Sequence, residues 1–290
     1  MPRLLGLILA VLMAIMPPTR ADDRLKIVAS FSILGDFVRN VGGDRVTVTT
    51  LVGPDGDAHV FEPTAADARK VADAKRVIVN GLGLEGWLPR LVKSAGGKAS
   101  IVTATSGMTP LGLGSGADPH AWQSVVNAKT YVTNIRDALV AADPADADGF
   151  RANAEAYLAK LDALDREVRE AVAKIPAAHR KVISTHRAFG YFAAAYGIEF
   201  IAPLGVSTES EPSARDIASI ITQIKNAKVP AVFLENISDP RLIERISADT
   251  GAKIGGTLYS DSLTAENGPA PTYIDMVRHN IRVLSEALTS

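Results

Sequence analysis

Apolar and polar positions alternate along this chain between two periods. Short β-rich runs occur at 25–29 (LKIVA), 45–52 (RVTVTTLV), 76–80 (RVIVN) and 99–104 (ASIVTA), and again at 181–185, 199–203, 231–235 and 253–259. Between them, apolar residues recur three and four apart. Phe31, Leu34, Phe37, Val38 and Val41 share one helical face. The same spacing predicts helices over 64–74, 84–94, 124–142, 188–196, 213–227, 240–250 and 273–288. A helix in each strand-to-strand gap predicts an α/β chain with two lobes, each built on a largely parallel four-stranded sheet.

One stretch breaks the alternation. From 146 to 175 there is neither glycine nor proline after Gly149, and Tyr157, Leu158, Leu161, Leu164, Val168 and Val172 repeat at spacings of three and four. This predicts a single amphipathic helix of roughly 40 Å, stopped by Pro176. A flexible linker carries Gly and Ser instead, so this connector is expected to be stiff and to restrict hinging of the lobes. The expected organisation is a leader over 1–21, an N-terminal lobe over 22–145, a connecting helix over 146–176 and a C-terminal lobe over 177–290.

Composition narrows the chemistry. The 290 residues are 47% hydrophobic and 22% charged, which suits a globular chain with a substantial core. Without cysteine, a disulfide framework, a thiolate zinc site, an iron–sulfur cluster, a thiol nucleophile and a lipid on an N-terminal Cys are all excluded. Arg3, the charge-free run Leu4–Met16, Pro17-Pro18 and the small Ala21 read as a secretory leader, too short to span a bilayer. The expected protein is therefore periplasmic, exported with a cleaved signal peptide and not lipid-anchored. Its mature charge of about −3 gives no basic patch for nucleic acid.

The histidines are where chemistry concentrates. His59 lies in the loop after the second predicted strand, His120 after the fourth, His186 directly after the fifth, and Asp261 after the last. Ligands of open α/β sheets bind outside the carboxyl ends of strands, and all four residues fall at that edge, two from each lobe. His179 precedes a strand and His279 lies off the apolar face of the last helix; both are read as surface residues. Three imidazoles and a carboxylate suit Zn(II). Asp57 and Asp118 each stand two residues before a histidine, placed to accept its other ring N–H. Asp261 has a second reading, since Ser260-Asp261-Ser262 also suits a helix cap or a turn.

These residues sit in motifs that resemble one family, the zinc/manganese-specific solute-binding proteins of ABC importers. Asp57-Ala58-His59-Val60-Phe61-Glu62-Pro63 resembles its D-x-H-x-(F/Y)-E-P motif, and Asp118-Pro119-His120-Ala121-Trp122 its D-P-H-x-W motif. His186, before an aromatic-rich segment, and Asp261 in Tyr259-Ser260-Asp261-Ser262-Leu263 match the third and fourth sites. The Ile27–Phe31 opening and the Val232–Glu235 phrase are similar too, and the long interlobe helix is a family hallmark.

The resemblance implies a binding protein, not an enzyme. It would capture Zn(II), with Mn(II) or iron as the alternative cargo, between its lobes at His59, His120, His186 and Asp261. It would then deliver the ion to a cognate ABC membrane permease. A monomer is expected, with a periplasmic metallochaperone as a further candidate partner. Members with a carboxylate at the third site tend to take manganese; His186 supplies a softer nitrogen, which favours zinc. The Gly107–Gly116 loop has no histidine, unlike the His-rich loop of many zinc-uptake members, so no auxiliary zinc sequestration is expected.

Binding requires neutral imidazoles, so affinity is expected to fall as pH drops through about 6.5. The stiff helix implies small lobe movements, with release through the loop around Asp261. The reading from another class is a three-histidine zinc hydrolase with Glu62 or Glu235 as base; it requires that Asp261 leave the fourth position to water.

Overall fold

The computed structural model describes residues 24–113, 116–210, 212–227 and 229–289. The expected leader lies outside the described residues. Strands β1 (Leu25–Phe31), β2 (Val46–Val52), β3 (Arg76–Val79) and β4 (Ile101–Thr103) form one sheet in the order β2-β1-β3-β4, every pairing parallel. A two-stranded antiparallel ribbon, β5 (Gly112–Leu113) with β6 (Gly116–Ala117), follows. The second sheet takes β7 (Lys181–Ile183), β8 (Glu199–Ile201), β9 (Ala231–Glu235) and β10 (Lys253–Leu258) in the parallel order β10-β9-β7-β8.

In each lobe the strand order reverses beside a central strand, β1 in the first and β7 in the second. That arrangement opens a crevice at the carboxyl ends of the strands. β1 is buried from Ile27 onward, which explains its unbroken apolar run: helices cover both faces of a parallel sheet. Helix α1 (Ser32–Gly42) sits hard against β2. A Cβ on Gly35 would meet the Thr50 methyl at 2.4 Å, so glycine is needed for this approach.

The remaining helices are α2 (Ala65–Asp73), α3 (Leu88–Ser94), α4 (Val125–Ala142), α5 (Ala147–Ala173), α6 (Gly190–Tyr196), α7 (Ala214–Ala227), α8 (Arg241–Thr250) and α9 (Tyr273–Leu288). Thr64 and Ser124 cap α2 and α4 with their hydroxyls, the former in a full capping box with Asp67. Two expectations need adjustment. Helix α3 starts at Leu88 rather than 84, because the buried Glu85 turns the chain to accept the Ser30 hydroxyl and the Asn80 and Gly81 N–H groups. The ribbon β5–β6 inside the glycine-rich loop is not anticipated by the sequence pattern; two-residue strands leave no periodicity to read.

The connector is α5, 27 residues long and about 40 Å by its rise. Phe150, Ala154, Tyr157, Leu161, Leu164, Val168 and Val172 are buried along one stripe against α4, α1 and α9. Charged pairs fix its flanks: the Arg278 guanidinium of α9 grips Glu167 through two contacts of 2.8 Å, and Arg45 binds Asp146. Asp36 of α1 joins three elements, accepting the Tyr157 hydroxyl at 3.3 Å and the first N–H of α9, on Tyr273, at 3.0 Å. Burial raises the Asp36 carboxyl above its ordinary range, against the hydrogen bonds that lower it.

One apolar core runs from β1 through α4 and α5 to Leu258 and α9, so the lobes share an interior. A smaller cluster under α7 and α8 includes Ile183, Val232 and Ile243. Among the described residues, no helix is long and apolar enough to cross a membrane. Truncating Leu161 to Ala should remove about 3 kcal/mol of stability, measured by urea unfolding, because this fully buried side chain faces a shared core that cannot collapse around the void.

Candidate metal centre

The cleft between the lobes brings the four expected residues together. His59, His120, His186 and Asp261 each present a donor atom, and these atoms all lie within 4.8 Å of one another. His120 Nε2 stands 3.2 Å from His59 Nε2 and 3.3 Å from His186 Nε2. Asp261 Oδ2 is 3.2 Å from His59 Nε2, 3.1 Å from His186 Nε2 and 3.6 Å from His120 Nε2. The side chains of His120, His186 and Asp261 are sealed from solvent, whereas that of His59 keeps 5% exposure.

Each donor is held by its surroundings. His120 follows β6 and precedes α4; its Nδ1 pairs with Asp118 Oδ1 at 2.8 Å, and its backbone N–H donates to the same oxygen at 2.9 Å. Gly190 leaves room for that carboxylate, since a Cβ there would meet Asp118 Oδ2 at 2.5 Å. His186 leaves the end of β7, and its Nδ1 pairs with Glu235 Oε2 at 2.5 Å. The other Glu235 oxygen accepts the N–H groups of Thr185 and His186 at 2.7 and 2.9 Å. Both carboxylates fix the tautomer that leaves Nε2 facing the cleft.

Asp57 behaves differently from the expectation. It accepts the backbone N–H of His59 at 2.8 Å rather than a ring proton, and its second oxygen takes the Thr208 hydroxyl from the opposite lobe at 2.5 Å. Glu235 is the orienting residue that sequence reasoning missed in this role; the available signals were that it ends a strand and closes the Val232–Glu235 phrase. His179 and His279 are half-buried rather than surface residues. Their ring nitrogens meet the carbonyls of Leu288 and Thr257, and neither joins the cluster.

The Asp261 segment belongs to the C-terminal lobe in sequence but is gripped by the other lobe. Trp122 Nε1 and Gln123 Nε2 donate to the Ser260 carbonyl at 2.8 and 2.5 Å. The Ser32 hydroxyl accepts the Leu263 N–H at 2.9 Å, and Asp55 N–H donates to the Leu263 carbonyl at 2.9 Å. Asp261 Oδ1 is buried without a hydrogen-bond partner, so Asp261 is not a helix cap.

Charge in this pocket is tightly coupled. Burial pushes the His120 imidazole down, but the Asp261 charge and the Asp118 hydrogen bond outweigh it and the net direction is up. For His186, burial again opposes, and the Glu235 and Asp261 charges carry it well above the ordinary value. Burial raises Asp261, yet the facing His186 and His120 hold it well below the usual carboxylate range.

A buried three-histidine, one-carboxylate cluster between two parallel-sheet lobes joined by a long helix defines a candidate site for a single metal ion. Residues 27–287 match the family described as "Zinc-uptake complex component A periplasmic" (ZnuA). The manganese-binding lipoprotein MntA of Halalkalibacterium halodurans is 38% identical over 268 residues, 92% of this chain and 89% of that protein. The iron-binding protein YfeA of Yersinia pestis is 35% identical over 274 residues, covering 93% and 88%. The solved structure of the periplasmic zinc-binding protein TroA from Treponema pallidum superposes with a TM-score of 0.89 at 30% identity, covering 92% of this chain and all of that one. The chain belongs to the ZnuA family of metal-binding solute-binding proteins of ABC importers.

These names correct one expectation. MntA is a lipoprotein, so exported relatives of this fold include lipid-tethered ones, and the reading of a freely diffusing protein without a lipid anchor is withdrawn. A leader directs export in both cases and does not separate tethered from free. The relatives' names also span manganese, iron and zinc, so family membership leaves the metal open.

Two outcomes follow from the geometry. Glu235→Gln should weaken metal binding about 10- to 100-fold with little change in fold, read by competition against a chromophoric chelator. Metal uptake near neutral pH should release protons, seen as a buffer-dependent heat in titration calorimetry. An imidazole held above its unfolded value of about 6.5 stabilises the metal-free fold below that pH. That contribution disappears as pH rises through the raised values. Apparent metal affinity should accordingly climb over the same interval.

Proposed function

We propose that the protein captures one divalent transition-metal ion, Zn(II) by preference, on the Nε2 atoms of His59, His120 and His186 and on Asp261 Oδ2, and hands it to a cognate ABC permease. The donor spacing carries this reading. Five donor-to-donor separations are 3.1 to 3.6 Å and all four donors lie within 4.8 Å of one another; ligands about 2.0 Å from a tetrahedral zinc stand roughly 3.3 Å apart, so the spacing suits one shared ion. Three nitrogens also favour zinc over the weaker-binding Mn(II) and Fe(II) in the general affinity order.

Manganese or iron is the second reading, and a specific observation favours it. Asp261 Oδ1 has no hydrogen-bond partner and is free to make the carboxylate bidentate, raising the coordination number toward what those ions accept. The names of MntA and YfeA point the same way. Binding without catalysis is supported by the fourth position, where Asp261 Oδ2 stands as close as the imidazoles and leaves no place for a water. It is supported also by Glu235, whose oxygens are committed to His186 and the backbone, and by the exposed Glu62.

The ion would reach the permease with the lobes moving little, because they share a core and are braced by α5. The test is metal titration with competing Zn(II) and Mn(II). One ion per chain, zinc displacing manganese, and at least a 100-fold loss in each of His120→Ala and His186→Ala are expected, because a lost ligand leaves the remaining buried donors without charge balance. Wild-type affinity in both variants would remove the assignment.

A further inference from the structure

The four donors are unequally enclosed, and the difference points to a path. His59 alone keeps solvent exposure, and it forms part of a surface cavity of about 330 Å³. One wall comes from the N-terminal lobe, with Leu82 and Pro119; the other is Val206, Ser207 and Glu209 from the loop after β8. Between those last residues, Thr208 reaches across the cleft to Asp57 Oδ2 at 2.5 Å, while Asp57 Oδ1 holds the His59 backbone N–H. One carboxylate thus ties the loop that walls the cavity to the loop that carries the exposed donor.

We infer that this cavity is the portal through which the ion reaches and leaves the cleft, with Asp57 and Thr208 as positioning residues that hold His59 over it and Glu209 as the charge that draws the cation in. The inference rests on the metal-binding reading above. Elsewhere around the cluster, Trp122 and Gln123 bind the Ser260 carbonyl on the Asp261 side and Glu235 holds His186 from behind; a second cavity, of about 440 Å³, touches Asp57, Thr185 and Thr208 but none of the four donors. Releasing the Thr208 hydroxyl would let the 206–209 wall part from the His59 loop without separating the lobes or breaching the shared core. His59 would then be the last donor to engage and the first to let go. A hydrogen bond to a carboxylate at the cleft mouth controls the rate of exchange, whereas the sealed donors dominate the affinity.

The experiment loads the full-length protein with Zn(II) and follows release into excess chelator by stopped flow, with association measured at low and high salt. Thr208→Val should release zinc about ten-fold faster with unchanged stoichiometry and an unchanged melting temperature of the metal-free protein. Thr208→Ser, which keeps the hydroxyl, should restore the wild-type rate. Glu209→Gln should slow association roughly two- to three-fold at low salt, with the difference vanishing at high salt. Release by Thr208→Val at the wild-type rate overturns the portal, as does equally fast release by the Ser and Val variants. Stoichiometry in the same samples reports on the cargo assignment, so wild-type loading at one ion per chain with unaltered rates rejects the portal alone.

Discussion

Three imidazole nitrogens and a carboxylate oxygen face one another at contact distance in a cleft where only His59 keeps a trace of solvent exposure. That mutual approach is unfavourable in itself: facing lone pairs repel, two protonated rings repel, and burial penalises every charge. Only a shared cation, or protons standing in for it, reconciles the four. The Asp261 and Glu235 charges draw His186 upward, the Asp261 charge and the Asp118 hydrogen bond draw His120 upward, and the two rings hold Asp261 down. Metal binding needs neutral imidazoles, which ties affinity to pH.

The scaffold exists to impose that approach. Parallel strands deliver chain ends to one edge of each sheet, and the two edges face across the cleft. Asp118 and Glu235 lock the rings so that Nε2 points inward, and the Asp261 segment is held in place by Trp122, Gln123 and Ser32 from the other lobe. Behind the cleft, α5 and the Asp36 junction with Tyr157 and Tyr273 stop the lobes from relieving the crowding by swinging apart.

Much of this is legible in the amino-acid sequence. The two-lobe α/β pattern and the long connecting helix follow from apolar spacing, because burying one stripe on a neighbour is a local property of a helix. His59 and His120 sit in short motifs, and His186 and Asp261 at strand exits. Less can be read where partners are distant in sequence. Nothing local to Glu235 says that β9 lies beside β7, so the end of a strand and a family-like phrase mark the residue without naming His186 as its partner. Asp57 is rightly placed near His59 by its motif, yet its true partner, Thr208, lies 151 residues away. The turn before α3 is hidden because a buried Glu85 looks like any helical glutamate.

The sequence alone determined most of the elements, the single long connecting helix and the kinds of donor atom available, since periodicity and side-chain chemistry are properties of neighbouring residues. The tertiary structure decided which carboxylate serves which histidine, that the Asp261 segment is held by the opposite lobe, and that His59 is the least enclosed of the four. Those facts depend on strand order and on the packing of loops far apart in the chain. No run of adjacent residues encodes the distance between two of them.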